Sequence, residues 1–534
     1  MNQSRKLVLP LVFSALIIIG MFIGAKLTPL NRMLGGARSS GVYHYGKIQD
    51  IIYLLDQKYV DPVDRERLVD VAIQGMLEQL DPHSVYISAE EMMRINEEIT
   101  GHFEGIGVQF TIRHDSVVVL NVLPGGPAER EGLQGGDRIV EVNGEVMAGE
   151  ELTNQEVMRQ LKGPRGTTVE VGVLRPGRRD LIHFSLTRDV VVTNSVAASY
   201  LLDQQTGYLR INTFTGKTYR EFMQAMSNLS AAGAKRLVLD LRSNGGGVFD
   251  QAIRVANEFL GNRDLIVYTM GKSGRRTVHR ANGRGRYQKM PLVILIDDFS
   301  ASASEIVAGA IQDHDRGYIV GRRSFGKGLV QQQIPLSDGS ALRVTTERYY
   351  TPSGRSIQKP YTQHHDDYFN ELFDRFQTDA LQTPDTAEID DSLKFQTLKK
   401  GRTVYGGGGI TPDFFIPFHH PDDNDLIRRI SRTGLIFEFA YDYADRNRHA
   451  ITTQYSESEF VEQYVFDRHA RRSFLAFLRE HRMPVGTITG NTERRIFHLI
   501  KAHVARNVFG EQAFFMVYNR QDPAVEKALQ LLHQ

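Results

Sequence analysis

Between residues 200 and 418 short apolar runs alternate with segments of helical period, and this pattern constrains the fold more than any other feature of the chain. Residues 207–212 and 236–241 read as strands around a predicted helix over 219–230. A helix over 249–260 leads to strands at 265–269 and 292–296, and a helix over 302–313 precedes a strand at 318–320. Strands separated in this way imply an α/β layer on a largely buried sheet. Within it, residues 361–401 are polar and acidic and read as a solvated insertion, with a lid or docking surface as the alternative.

The texture changes on both sides. Residues 43–100 are helical in period, with Ile48, Ile51, Ile52, Leu54 and Leu55 on one face, and the turn Leu80-Asp81-Pro82-His83-Ser84 precedes a helix starting near Ser88. Residues 101–189 are short strands and glycine turns, including Gly135-Gly136-Asp137-Arg138-Ile139 and the hairpin signal Asn143-Gly144, with a helix over 154–161. From 419 to 534 the chain reads as helical, and Asp522-Pro523 opens its last helix. Phe437, Phe439, Tyr441 and Tyr443 read as core, with a homodimer through the helical regions as the alternative. A chain of 534 residues has room for three to four domains. The expected division is 1–30, 31–100, 101–190, 191–418 and 419–534.

Residues 7–25 carry no charge, and nineteen helical residues span a hydrocarbon core. The expectation is an uncleaved single-pass anchor, with a cleaved signal peptide as the alternative. Net charge is +1, from 64 basic and 63 acidic residues, which argues against a nucleic-acid binder. Cysteine is absent, which excludes disulfides, thiolate metal sites and a cysteine nucleophile.

Residues 292–331 carry the chemistry, and three readings compete for them. Gly321-Arg322-Arg323-Ser324-Phe325-Gly326-Lys327 begins like a P-loop, but Gly328 stands where a magnesium-binding hydroxyl belongs, and a strand-like run follows instead of a helix. A local Ser-His-Asp arrangement fails because twelve helical residues put Ser302 and His314 about 18 Å apart. The third reading is a serine nucleophile with a lysine base. A serine opening a helix after a buried strand favours developing negative charge, and a buried lysine amine can take its proton. Spacing alone leaves Ser300, Ser302 and Ser304 open.

Ser-Ala-Ser-Ala-Ser-Glu-Ile at 300–306, with Phe-Gly-Lys-Gly-Leu-Val-Gln at 325–331, resembles the carboxyl-terminal processing peptidases, or tail-specific proteases. So do Asp-Leu-Arg-Ser-Asn-Gly-Gly-Gly at 240–247, Leu-Asp-Pro-His-Ser at 80–84, Tyr-Thr-Pro-Ser-Gly-Arg-Ser-Ile-Gln at 350–358 and Gly-Ile-Thr-Pro-Asp at 409–413. The segment 101–190 resembles a PDZ domain, and the likeness as a whole covers about residues 43–418.

The expected fold is a multidomain α+β architecture: the resemblance implies a PDZ domain built as a small barrel-like sandwich and an α/β serine-protease core, and the residues around them add a transmembrane helix, a helical segment and a helical C-terminal region. The resemblance implies Ser302 as nucleophile, Lys327 as general base and Gln331 as its orienting partner. The oxyanion hole would be the backbone N–H groups of Ala303 and Gly246. The loop Gly105-Ile106-Gly107-Val108 would capture the carboxylate of a substrate tail, and peptides with free apolar C-termini are the expected partners. No cofactor, metal or nucleic acid is implied. The expected location is the inner membrane, with the catalytic part facing the periplasm or cell exterior.

Other residues invite plainer readings. Ser300 and Ser304 read as capping or packing residues, Arg242 as an ion-pair partner and His83 as a turn cap. The pairs His364-His365 and His419-His420 read as exposed loops, because their spacing suits no defined metal site.

Overall fold

The computed structural model describes residues 46–534 except 114–115, 150–151, 176, 179, 362–364, 378–380, 384–390, 485–487 and 489. The expected anchor at 7–25 lies outside these residues, and among them no helix is long and apolar enough to cross a membrane. The chain divides into a unit ending at Ile73 and a unit from Gln74 to Gln534. In the first, the helix Gly46–Lys58 buries none of its residues, and Arg65 Nε donates to Asp56 Oδ1 at 2.6 Å.

The second unit is organised around a six-stranded sheet in the order Val196–Leu201, Thr206–Ile211, Arg236–Asp240, Leu292–Ile296, Tyr318–Gly321 and Phe414–Phe415. The first pair is antiparallel and the rest are parallel. A parallel sheet needs both faces covered, and its two central strands accordingly bury the apolar runs 237–239 and 292–296. Alternate residues point to opposite faces. Leu237, Leu239, Leu292 and Ile294 join the core under the helices Thr218–Ala231, Phe249–Asn257 and Ala303–Asp313. Val238, Val293 and Leu295 face Ala524, Val525 and Ala528 of the last helix, Pro523–His533. The end of the helical C-terminal region is therefore the second covering layer of the central sheet.

A second sheet orders Val85–Ile87, Ala341–Tyr350, Leu265–Gly271 and Arg276–Arg280, with Leu329–Pro335 also paired to Ala341–Tyr350. The glycine-rich segment forms its own sheet, in the order Val108–Arg113, Ser116–Val122, Arg138–Val142, Thr168–Leu174 and Ile182–Thr187. The helix Asn154–Leu161 buries Val157 and Leu161 into the core beneath that sheet. Its hairpin turns at Asn143 and Gly144, with φ of 52° and 79°, the pair of positive values that a two-residue turn requires.

In its described residues the inserted segment is not a solvated excursion. Its helix His365–Gln377 buries Tyr368, and its strand Lys394–Gln396 pairs with Thr403–Tyr405, which follows directly after the segment. Arg402 bonds Asp315 Oδ1 at 2.7 Å and Asp413 Oδ1 at 2.5 Å, so two aspartates of the α/β layer hold the hairpin in place.

Candidate active site

The buried strand Leu292–Ile296 ends at a turn that enters the helix Ala303–Asp313, and Ser302 stands at the junction. Its backbone has φ 54° and ψ −110°, a conformation that disfavours any residue with a Cβ. Such strain costs about 1–3 kcal/mol and persists only where the surroundings impose it. Here they are a second turn, which follows the strand Arg236–Asp240. Ser304 Oγ donates to Asn244 O at 2.9 Å, and Ala301 N–H donates to the same carbonyl at 3.0 Å. Ser300 Oγ donates to Leu241 O at 2.9 Å. Ser300 and Ser304 thus tie the two turns together, as their packing reading expected. Gly246, with φ 104°, has no room for a side chain: a Cβ there would sit 2.8 Å from Ser302 Cβ.

The sharpest departure concerns this glycine. The Gly246 N–H, expected as an oxyanion donor, is donated to Asn244 Oδ1 at 2.9 Å. It is already satisfied by the side chain two residues before it. Ala303 N–H is the first donor of its helix, where the helix offers no carbonyl to receive it.

Lys327 lies on the loop before the strand Leu329–Pro335, and its Nζ donates to Gln331 Oε1 at 2.8 Å. Burial lowers its pKa to about 8, helped by the charge of Arg343 and opposed by Glu305 and Asp81. Gln331 Nε2 in turn donates to the backbone carbonyl of His83. That carbonyl is fixed because the turn of residues 81–84 is fixed. Asp81 accepts Ser84 Oγ at 2.6 Å, His83 N–H at 3.0 Å and Thr345 Oγ1 at 2.9 Å. The His83 ring meets Tyr368 OH at 2.9 Å and packs edge-on to Phe325 and Phe369. His83 is therefore not a simple turn cap. It joins the lysine loop, the inserted helix and Gln331.

Two residues that the sequence reading left without a role hold serine and lysine together. Glu305 is fully buried, and its Oε2 accepts the backbone N–H of Ser302 at 2.7 Å and of Lys327 at 3.0 Å. Its Oε1 accepts Ser324 Oγ at 2.5 Å and Gly326 N–H at 2.8 Å. Burial pushes its pKa up to about 7 against the pull of these four bonds. The signal was legible in part, since Glu305 is the third residue of the helix, where a carboxylate returns to the cap N–H. Tyr349 OH reaches Lys327 O at 2.7 Å and Ser302 O at 3.1 Å, and no sequence motif marked it.

Arg242 does pair with carboxylates, Asp240 and Asp522, both at 2.7 Å. His364 lies outside the described residues, and among those no group of three His, Asp or Glu could hold a metal ion.

The glycine loop at 105–108 opens the edge strand Val108–Arg113. Ile106 O accepts Ala128 N–H and Gly107 O accepts Leu123 N–H, each at 2.8 Å. In a trans peptide the N–H points opposite to the carbonyl of its own plane. The N–H groups of Gly107 and Val108 therefore point away from Ala128 and Leu123 respectively, at the start of the edge strand. Gly107 has φ 81°, and a Cβ there would meet Gly126 Cα at 3.2 Å.

The chain matches peptidase family S41 over residues 205–366, a PDZ domain over 105–186, the N-terminal domain of activating protease CtpB over 32–91 and a family of unknown function over 426–510. It is 36% identical over 348 residues to a carboxy-terminal-processing protease of Bartonella bacilliformis, covering 64% of this chain and 79% of that one. It is 34% identical over 318 residues to carboxy-terminal processing protease CtpB of Bacillus subtilis, covering 59% and 65%. It is also 38% identical over 316 residues to a chloroplastic C-terminal processing peptidase of Tetradesmus obliquus, covering 56% and 68%. The buried strand, the strained serine, the desolvated lysine and these matches agree: the chain belongs to peptidase family S41 and is a serine-type carboxyl-terminal processing peptidase.

Proposed function

We propose that Ser302 and Lys327 form the catalytic dyad and that the PDZ domain delivers substrates to it by their C-terminal tails. The observation that carries this reading is Glu305, one oxygen of which binds the backbone of both residues while Lys327 Nζ is desolvated and held by Gln331. In this mechanism neutral Lys327 takes the Ser302 proton as Oγ attacks the scissile carbonyl. Ala303 N–H receives the oxyanion, joined by Gly246 N–H once that donor exchanges Asn244 Oδ1 for the substrate. Lys327 then passes the proton to the leaving amine, and water hydrolyses the acyl-enzyme with the lysine again as base.

The tail would pair with the free edge of Val108–Arg113, its carboxylate meeting the N–H groups of Gly107 and Val108. Gly105 and Ile106 shape the start of that loop. The uncharged run at 7–25 would anchor the enzyme, with the protease on the outer side of the membrane.

Ser302→Ala and Lys327→Ala, assayed on a protein with a free apolar C-terminus, test the dyad. Normal cleavage by either variant overturns it. Wild type that binds tails without ever cutting them would be a scaffold. Fractionation tests the anchor, which is wrong if the full chain leaves membranes in high salt.

A further inference from the structure

Lys327 stands between two glycines, and the chain that leads into the inserted segment holds both of them. Gly328 N–H donates to Gln358 Oε1 at 2.8 Å, and Lys359 N–H donates to Gly326 O at 2.9 Å. Gln358 and Lys359 then reach one and the same residue of the inserted helix. Gln358 Nε2 donates to Tyr368 OH at 3.1 Å. The buried Lys359 Nζ donates to Tyr368 O at 2.7 Å and lies over the Tyr368 ring, 4.2 Å from its centre. A further path starts at the lysine amine itself. Gln331, which accepts from Lys327 Nζ, donates to the His83 carbonyl, and the His83 ring meets the same Tyr368 hydroxyl at 2.9 Å.

The direction of these bonds follows from what each group can do. A backbone N–H only donates, so Gly328 fixes the Gln358 oxygen towards itself and the NH2 group towards Tyr368. Tyr368 OH accepts there and keeps its own proton for His83, whose Nε2 is then the unprotonated nitrogen. Burial holds the Tyr368 pKa well above the ordinary range, so the hydroxyl stays protonated where a peptidase works. Tyr368 is 3% exposed, and a buried network satisfied in this way is rigid.

We propose that Tyr368 is a positioning residue for the general base: its hydroxyl joins the two chains of bonds that end on Gly328 and on Gln331, so that the inserted segment carries part of the lysine's mounting. The proposal rests on the dyad reading above.

Tyr368→Phe tests it in the full chain, because it keeps the ring over Lys359 and removes the hydroxyl alone. It is expected to lower kcat about ten-fold with KM little changed. The midpoint of kcat/KM should also rise from about 8 by about half a unit, as a loosened loop admits water to the amine. Arg343, Glu305 and Asp81, the charged groups that act on Lys327, are the same in the variant. Phe373→Ala, on the exposed face of the same helix, controls for the helix as a whole and should move neither quantity. Unchanged kcat in Tyr368→Phe overturns the proposal, whether or not the thermal midpoint falls. A lower kcat with a fixed pH midpoint overturns it as well, since the hydroxyl would then act on something other than the base. So does an equal loss in Phe373→Ala, because the helix and not the hydroxyl would then be what matters. The dyad reading fails by a different sign, continued cleavage by Lys327→Ala. With that variant inactive and Tyr368→Phe as active as wild type, the dyad stands and the role of Tyr368 falls.

Discussion

Arg242 Nη1 and Asp522 Oδ2 lie 2.7 Å apart although 280 residues separate them in the chain. Arg242 also holds Asp240, which is fully buried. Burial raises that carboxyl's pKa, but Arg242 and Arg210 outweigh it and leave it well below the usual range. The turn that follows brings Gly246 against Ser302, so the last helix braces the nucleophile's surroundings from behind. Asp522→Asn keeps the shape and removes the charge. It should cost about 2 kcal/mol, the scale of a hydrogen bond to a charged group. It should also lower kcat about ten-fold with KM little changed, as expected when a backbone shift disturbs the transition state. Denaturant melts and steady-state kinetics check this. Unchanged kcat alongside lost stability would make the pair purely structural.

The acid limb of activity should report Lys327. Only the neutral amine accepts a proton, so kcat/KM should rise with pH to a midpoint near 8, well below lysine's ordinary 10.5. Gln331→Glu would place a carboxylate beside the amine, favour its charged form and move the midpoint up by about one unit. Lys327→Arg should be inactive at every pH tested, because guanidinium does not deprotonate. The stability signs differ for the two buried groups. Lys327 has a lowered folded-state pKa, so its cost is complete below pH 8 and relieved as pH rises from about 8 towards 10.5. Glu305 has a raised one, so its contribution is complete below 4.5 and lost as pH rises through about 7. A pH titration of kcat/KM with an unshifted midpoint in Gln331→Glu would remove Gln331 from the lysine's environment.

Much of this architecture was legible because period and punctuation agree with burial. The strand at 292–296 and the helix at 154–161 lie where the apolar pattern placed them. The serine and lysine loops could be named because each carries a local motif. What escaped were contacts made across long separations. Tyr349 acts on the site through its hydroxyl alone, and nothing in the residues around it forecasts two carbonyl partners. His83 contributes its backbone carbonyl, which sequence hides behind an imidazole. The inserted segment was misread because its acidic composition suggests solvent, yet Glu371 is held by Lys359 at 2.9 Å and by Arg323 at 3.1 Å. The last helix read as part of a separate region because its apolar stripe says that it packs, not what it packs on.

Glu305 offers a severe test of the shared anchor. Replacing it with Ala leaves three backbone N–H groups and the Ser324 hydroxyl without their acceptor in a buried site. Each such loss costs about 1–3 kcal/mol, so the variant should be destabilised by about 4 kcal/mol or more. Glu305→Gln keeps one oxygen but turns an NH2 group towards two donors. It should fold, with about 2 kcal/mol lost and activity reduced about 100-fold, since both catalytic loops relax. Thermal melts combined with labelling of Ser302 by a fluorophosphonate separate the two effects. Wild-type labelling in the Gln variant would show that the carboxylate is not what positions the serine.

Tyr349→Phe isolates the second bridge with the smallest change. The hydroxyl is buried and spans Ser302 O and Lys327 O, while Ser302 O keeps the N–H groups of Glu305 at 2.9 Å and Ile306 at 3.0 Å. Lys327 O has no such reserve in its turn, so the lysine loop should loosen more than the serine. The fold should lose about 1 kcal/mol, the net worth of one hydrogen bond. Two further readouts divide the roles. Labelling of Ser302 by an agent that needs lysine assistance should slow about ten-fold, and the pH midpoint should drift up towards 10.5 as water reaches the amine. A slower label with an unmoved midpoint would mean that the tyrosine sets geometry without keeping Lys327 dry.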